Sequence, residues 1–234
     1  MQALIDGDII IYRVGFTTED VDVPLACVRA TEVVEGILKD VNATSFKIYL
    51  TEENDPNAFR KQIYPEYKAH RKKEKPRWYK ELRDYLQVQY HAELCYEIEA
   101  DDALGIQQTQ NHWDKVDSII CSIDKDLKQI RGDHYNFVKK EFAHVEVEAA
   151  LRTFYMQLLT GDSADNIKGV YNIGPKKAEQ ILGDRDDVVD MFDVVRETYG
   201  NDEEMLMNGR VLWIWKRPND DWKQHWDQLL ISTR

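Results

Sequence analysis

The sequence predicts an α/β protein with a mostly parallel sheet, and three observations carry that prediction. Apolar runs of strand length alternate with segments of helical spacing over most of the chain. Three of those runs, Ala3-Leu4-Ile5, Leu94-Cys95-Tyr96 and Ser118 to Ile123, are followed at once by clustered acids. Parallel strands bring their C-terminal ends to one edge of a sheet, so acids distant in sequence meet there.

In chain order, a strand runs to Ile5 and Ile9 to Tyr12 starts the first helix. After a loop at Val21 to Pro24, Ala26 to Val41 places Val28, Val33, Val34, Ile37, Leu38 and Val41 on one apolar face of a helix. Phe46 to Leu50 alternates as the second strand, ends at Thr51-Glu52, and is followed by turn residues from Glu53 to Asn57. Ala58 to Lys73 is basic and aromatic, and Pro76 introduces an amphipathic helix over Arg77 to Leu86. Leu94 to Ile98 reads as a buried strand and Asp101 to Trp113 as the helix after it, carrying Leu104 and Ile106. Ser118 to Ile123 and Tyr135 to Val138 are the remaining strands. Val145 to Leu159 is a helix with Val147, Ala150, Leu151, Phe154, Tyr155 and Leu158 spaced for burial. Trp213, Trp215, Trp222 and Trp226 are expected in the core.

The chain has 234 residues, enough to bury a substantial core as one domain with a subdomain. No apolar run approaches a membrane span, and Asp6 and Asp8 break the N-terminal run, so neither signal peptide nor anchor is expected. Cys27, Cys95 and Cys121 sit in apolar contexts, as buried thiols of a reducing cytoplasm do. A net charge of -12 argues against a nucleic-acid partner until its distribution is read. From Arg60 to Lys80 nine basic residues face only Glu66 and Glu74, a local balance of +7. The pattern is an acidic pocket beside a basic arm.

The acids fall in four clusters: Asp6-Gly7-Asp8, Glu97 to Asp102, Asp124-Lys125-Asp126, and Gly161-Asp162-Ser163-Ala164-Asp165-Asn166. Any one alone reads most simply as a solvated helix start, with acids favoured by the dipole. Recurrence at strand and helix ends points instead to a shared pocket, where a hard divalent cation turns mutual repulsion into coordination. Farther on, Ile173-Gly174-Pro175-Lys176-Lys177-Ala178 has the form of a helix-hairpin-helix that offers backbone N–H groups to phosphate.

Taken together, Asp6-Gly7, Phe59-Arg60, Pro65-Glu66-Tyr67-Lys68-Ala69-His70-Arg71, Glu99-Ala100-Asp101-Asp102, Ser122 to Asp126, Gly161 to Asn166 and Ile173 to Ala178 resemble the structure-specific 5′-nuclease family. That family holds the flap endonucleases and the 5′→3′ exonucleases, and the chain looks most similar to its bacteriophage members. The resemblance implies a PIN-like core over residues 1–150, including a helical, basic arch at about 60–90. Residues 151–234 would carry the helix-hairpin-helix and a C-terminal packing segment.

Carried over residue by residue, the resemblance places metal ligands at Asp6, Glu99, Asp101, Asp102, Asp124, Asp126, Asp162 and Asp165, with Asp6, Asp124 and Asp126 central to catalysis. Two Mg²⁺ ions roughly 4 Å apart, with Mn²⁺ as substitute, would activate water and stabilise the leaving oxygen. Lys68 and Arg71, at i and i+3 of a helix, would meet the scissile phosphate. Arg60, Lys72, Lys73, Gly174, Lys176 and Lys177 would bind DNA, Tyr67 would stack on the terminal base, and K⁺ would sit at the hairpin. Two departures from the family pattern stand out. Glu52, carried over as a further metal ligand, stands where the family usually has Asp, and Tyr171-Asn172 replaces Pro-Gly in the hairpin, where Asn tolerates a left-handed backbone.

Other residues keep plainer readings. Asp8 and Glu97 are solvated or structural, His70 and His91 belong to the surface, and Trp78 and Tyr79 pack within the arch or stack on single-stranded DNA. The expected protein is a monomeric, cytoplasmic 5′-nuclease (in the host cytoplasm, for a viral source) acting on DNA with a 5′ end, nick, gap or flap. Two rivals are an RNase H-like primer-removing enzyme acting on RNA-DNA hybrid and a noncatalytic duplex-binding protein.

Overall fold

The structure is a computed structural model that describes residues 1–70 and 74–232. Its central sheet has six strands in the order β3-β2-β1-β4-β5-β6: Glu93–Cys95, Ser45–Thr51, Gln2–Asp6, Ser118–Cys121, Gly132–Asn136 and Glu141–Val145. Every neighbouring pair is parallel except β5 with β6. Ile5 stands opposite Ile48 on one side and Cys121 on the other, so β1 is the central strand at which the chain order reverses. In open α/β sheets the crevice at the carboxyl ends of such strands is where ligands bind.

Side chains alternate across β1, and each face is covered by helices. Ala3 and Ile5 pack with Ile48, Leu50 and Ile119 beneath α1 (Gly7–Thr17), α2 (Val23–Asp40) and α4 (Tyr79–Tyr90). Leu4, Tyr49 and Ile120 face α5 (Ala100–Trp113) through Leu104, with Ile130 and Ile214 closing that side. The α/β prediction and all five predicted strands hold, to within a few residues at their ends. Strand β6 escaped notice because four of its five residues are exposed, leaving no apolar alternation to read.

Within the span expected as an arch, α3 (Phe59–Ile63) is short and residues 65–70 form turns. Helix α4 belongs to the core: Tyr79, Leu82, Leu86 and Tyr90 are buried against α1 and α2. Trp78 donates to the carbonyl of Val21 and packs on the same cluster, so the packing reading of Trp78 and Tyr79 is the one observed.

The C-terminal region is helical: α6 (Val147–Thr160), a two-stranded ladder of β7 (Gly161–Asp162) and β8 (Ile167–Lys168), α7 (Pro175–Leu182), α8 (Val188–Tyr199), α9 (Asp202–Leu212) and α10 (Trp222–Ser232). Phe154, Phe192, Trp213, Trp222 and Trp226 fill its core, as expected for the tryptophans. Helix α6 runs unbroken through residue 150, where a division between two regions was expected. No helix among the described residues is long and apolar enough to cross a membrane.

Candidate active site

The carboxyl edge of the sheet opens into a cleft of about 820 Å³. Asp6 ends β1 and caps α1, its Oδ1 accepting the Ile9 N–H at 3.1 Å and its Oδ2 the Ser122 hydroxyl at 2.7 Å. Gly7 is required beside it, since a Cβ there would lie 2.6 Å from Leu50 and 2.8 Å from the Tyr49 carbonyl. Glu99 is the N-cap of α5 and Asp101 lies in its first turn. Asp124 and Asp126 follow β4, where Asp124 Oδ1 accepts the Asp126 N–H at 2.8 Å. Asp162 and Asp165 sit on the β7–β8 turn, held by Asp162 Oδ1 accepting from the Ala164 N–H at 2.7 Å. That turn begins at Gly161, whose φ of 69° and close approach to Gly169 exclude a side chain. All seven acids line the one cleft, as Asp8, Glu52 and Lys68 do.

Burial of like charges sets the electrostatics. Burial and the neighbouring Asp8 push Asp6 up to about 7. Burial, Asp124 and Asp162 push Asp126 up to about 7 as well. Asp101 is raised by burial and by Asp6 and Asp124. Glu99 moves the other way. Burial would raise it, but Lys68 and Arg60 outweigh burial and hold it at about 2. Lys68 Nζ donates to Glu99 Oε1 at 2.7 Å and lies 3.8 Å from Asp165.

The donors suit a hard divalent cation. Among the described residues no His or Cys lines the cleft, so the side-chain ligands they offer are oxygens. Asp126 Oδ1 is buried and has no hydrogen-bond partner, an atom that an ion would satisfy. Among the described residues no three His, Cys, Asp or Glu side chains already surround a single point. Mutually repelling carboxylates stay apart, and Mg²⁺ keeps several waters and needs few direct protein ligands.

Three expected roles are corrected by the geometry. Asp102, expected to bind metal, is fully buried, with both oxygens on the Arg60 guanidinium. It also accepts the backbone N–H groups of Glu99 and Trp215, so no lone pair is left toward the cleft. Arg60, expected on DNA, is 4% exposed and donates to the carbonyls of Val211 and Trp213. Tyr67, expected to stack on a base, is 4% exposed in the C-terminal core with its hydroxyl turned to Glu99 and Asp165. Lys68 reaches the cleft from a turn, at φ 56°, and not from a helix. Arg71, Lys72 and Lys73 lie outside the described residues.

Other placements follow the sequence more closely. Glu52 lines the cleft, and its Oε1 accepts the Asn54 N–H at 3.2 Å. Asp8 lines the cleft too, where it accepts the Thr51 N–H at 3.0 Å and pairs with Arg83 at 3.4 Å. Glu97 is exposed, as are His70 and His91. Gly174 is the N-cap of α7, Lys176 and Lys177 are exposed, and Asn172 takes the left-handed backbone at φ 59°. Two residues went unnoticed. Ser122 bridges Asp6 to the Asp124 N–H, and Arg83 ties α4 to the Thr51 carbonyl. The only signal for Ser122 was its place between an apolar strand and the acid pair.

Comparison with known proteins agrees with this fold. The family model described as 5′-3′ exonuclease, N-terminal resolvase-like domain, matches residues 1–158. A flap endonuclease Xni of Shewanella baltica strain OS185 is 30% identical over 142 residues, covering 56% of this chain and 54% of the relative. The Shewanella oneidensis protein of that name is 27% identical over 170 residues, or 68% of this chain and 65% of the relative. In the first of these alignments the chain spans about half the length of the curated relative. A bacteriophage T5 flap endonuclease, solved in a pseudo-enzyme-product complex with DNA and metal ions, superposes with a TM-score of 0.74 at 16% identity, covering 98% of each chain. A T5 5′-exonuclease with zinc bound superposes at 0.73 and 16% identity, over 91% of this chain and 89% of that one. At such identity these structures speak for the fold. With its family signature extending from the first residue through β1 to most of α6, the chain belongs to the 5′-3′ exonuclease family, whose N-terminal resolvase-like domain it carries.

Proposed function

We propose that this protein is a divalent-metal-dependent 5′-nuclease that hydrolyses DNA phosphodiesters at or near 5′ ends, as a 5′→3′ exonuclease and 5′-flap endonuclease in phage-type DNA replication. The observation that carries this reading is the convergence of Asp6, Glu99, Asp101, Asp124, Asp126, Asp162 and Asp165 in one cleft lined by oxygen donors. These residues, with Glu52 also lining the cleft, would hold two Mg²⁺ ions, Mn²⁺ substituting. Such ions, when bound, supply Lewis-acid activation of water and neutralise charge on the phosphodiester.

The remaining work falls to the chain. Ser122 fixes Asp6 against the Asp124 backbone, and the Arg60–Asp102 pair fixes the start of α5, from which Glu99 and Asp101 enter the cleft. Lys68 places an ammonium among these acids, where it would meet the non-bridging oxygens of the scissile phosphate, with Arg71 as its partner. Exposed Lys176 and Lys177 beside the N-terminus of α7 would grip duplex phosphates, with K⁺ at the hairpin turn. Three unpaired cysteines, two of them buried, support a reducing, cytoplasmic setting, and the protein is taken to act as a monomer.

End-labelled nicked, gapped and 5′-flapped duplexes, incubated with Mg²⁺ or with EDTA, test the proposal. Mg²⁺-dependent release of short 5′ products is expected. Binding without cleavage under every metal condition would leave a duplex-binding protein, and faster cleavage of matched RNA-DNA hybrids would make the substrate an RNA primer.

A further inference from the structure

Glu99 and Asp165 reach the cleft from different elements, one from the start of α5 and the other from the β7–β8 turn. Between them stands the Tyr67 hydroxyl, 2.9 Å from Glu99 Oε2 and 3.0 Å from Asp165 Oδ2. The ring behind that hydroxyl is fixed, being 4% exposed and packed in the C-terminal cluster. Its backbone is fixed too. The Tyr67 N–H donates to the Tyr64 carbonyl at 2.9 Å, and the next N–H, of Lys68, donates to the Asp165 carbonyl at 3.0 Å. We infer that Tyr67 is a positioning residue, whose phenolic O–H sets the separation of Glu99 and Asp165 and thereby shapes the site that takes a divalent cation.

A phenol carries one proton, so it serves two carboxylates by sharing that proton between them. The Lys68 ammonium on Glu99 supplies the positive charge that lets two acids approach one hydroxyl. Groups that orient metal ligands from behind account for a large part of a site's affinity, although they never touch the ion. The inference rests on the reading of Glu99 and Asp165 as ligands. It differs from base stacking in what it requires: stacking needs the ring, whereas positioning needs the oxygen.

Tyr67→Phe keeps the ring and removes only the hydroxyl, so it separates these roles. Mn²⁺ binding to the nucleic-acid-free protein, followed by the electron-spin-resonance signal of free Mn²⁺, is the readout, with Glu99→Gln and Asp165→Asn as companions. Tyr67→Phe is expected to melt as the wild type does and to bind Mn²⁺ about tenfold or more weakly, the loss typical of an orienting partner. If Glu99→Gln and Asp165→Asn weaken Mn²⁺ binding and Tyr67→Phe leaves it unchanged, the positioning role is overturned while the ligand assignment stands. If neither acid variant changes Mn²⁺ binding, the ligand assignment falls and takes the positioning role with it.

Discussion

Asp126 holds a buried carboxylate oxygen with no hydrogen-bond partner, in surroundings that push the group up to about 7. Such a residue is poorly accommodated unless a cation joins it. Asp126→Asn is therefore expected to abolish Mg²⁺-dependent cleavage while leaving duplex affinity intact, and near-normal cleavage would remove the residue from the site. Lys68 calls for a different measurement because its ammonium sits on Glu99. Lys68→Ala should lower the saturating single-turnover rate by about a hundredfold or more, the scale for one preorganised electrostatic group. Weaker binding in Ca²⁺ with an unchanged saturating rate would make it an affinity residue only. At this scale the sequence was legible wherever a short side chain follows a strand, because strand direction dictates where it points. It was misleading for Asp102, since adjacent acids at a helix start look alike in sequence, while one faces the cleft and the other faces Arg60. Nothing local announces that Arg60 meets Val211 and Trp213, more than 150 residues away.

Helix α7 and the turn before it carry the duplex grip in the proposed function. Lys176 and Lys177 are exposed, and Lys177 Nζ reaches back to the Asn172 carbonyl at 3.0 Å. Replacing both with Ala should weaken duplex binding and reduce the slope of log affinity against log salt by about 2, near 0.9 per lost phosphate contact. Single-turnover cleavage by saturating enzyme should change little, and a large fall in that rate at unchanged affinity would place the hairpin in the chemistry. The helix start was legible because glycine, proline and paired lysines encode it locally. The basic arm was harder. The resemblance implied one continuous arch there, yet α4 carries Leu82 and Leu86 on a face that α1 and α2 bury. An amphipathic pattern reports that a face is buried, without saying against what.

Across the whole molecule, the crowded acids predict how stability responds to pH and metal. Asp6 and Asp126 have folded values near 7, well above the ordinary carboxylate range, so in the metal-free protein their contribution is lost as pH rises toward 7. Glu99, held at about 2, and Asp220, also lowered, contribute stability that is lost as pH falls through and below the ordinary carboxylate range, and add little slope above about pH 5.5. His134, lowered by burial, works in the opposite sense, so the informative quantity is a difference between proteins. In EDTA, the melting temperature of Asp126→Asn should gain on the wild type between about pH 5.5 and 7.5, and Mg²⁺ should close the gap at the upper end. A gap that does not vary with pH would show that Asp126 titrates as it does in the unfolded chain.

The buried Arg60–Asp102 pair also governs how the molecule comes apart. Apart from the Glu99 N–H, its remaining hydrogen bonds go to Val211, Trp213 and Trp215, so the guanidinium and carboxylate are solvated, in large part, by the far end of the chain. Stripping that end away would leave an ion pair in an apolar interior with donors and an acceptor unanswered, a situation that costs several kcal/mol. The nuclease core and the helical region are thereby expected to unfold cooperatively, in one calorimetric transition, and a fragment ending near residue 200 should fail to fold. Two resolved transitions, or a stable and metal-binding fragment, would reveal a modular protein whose catalytic half is autonomous.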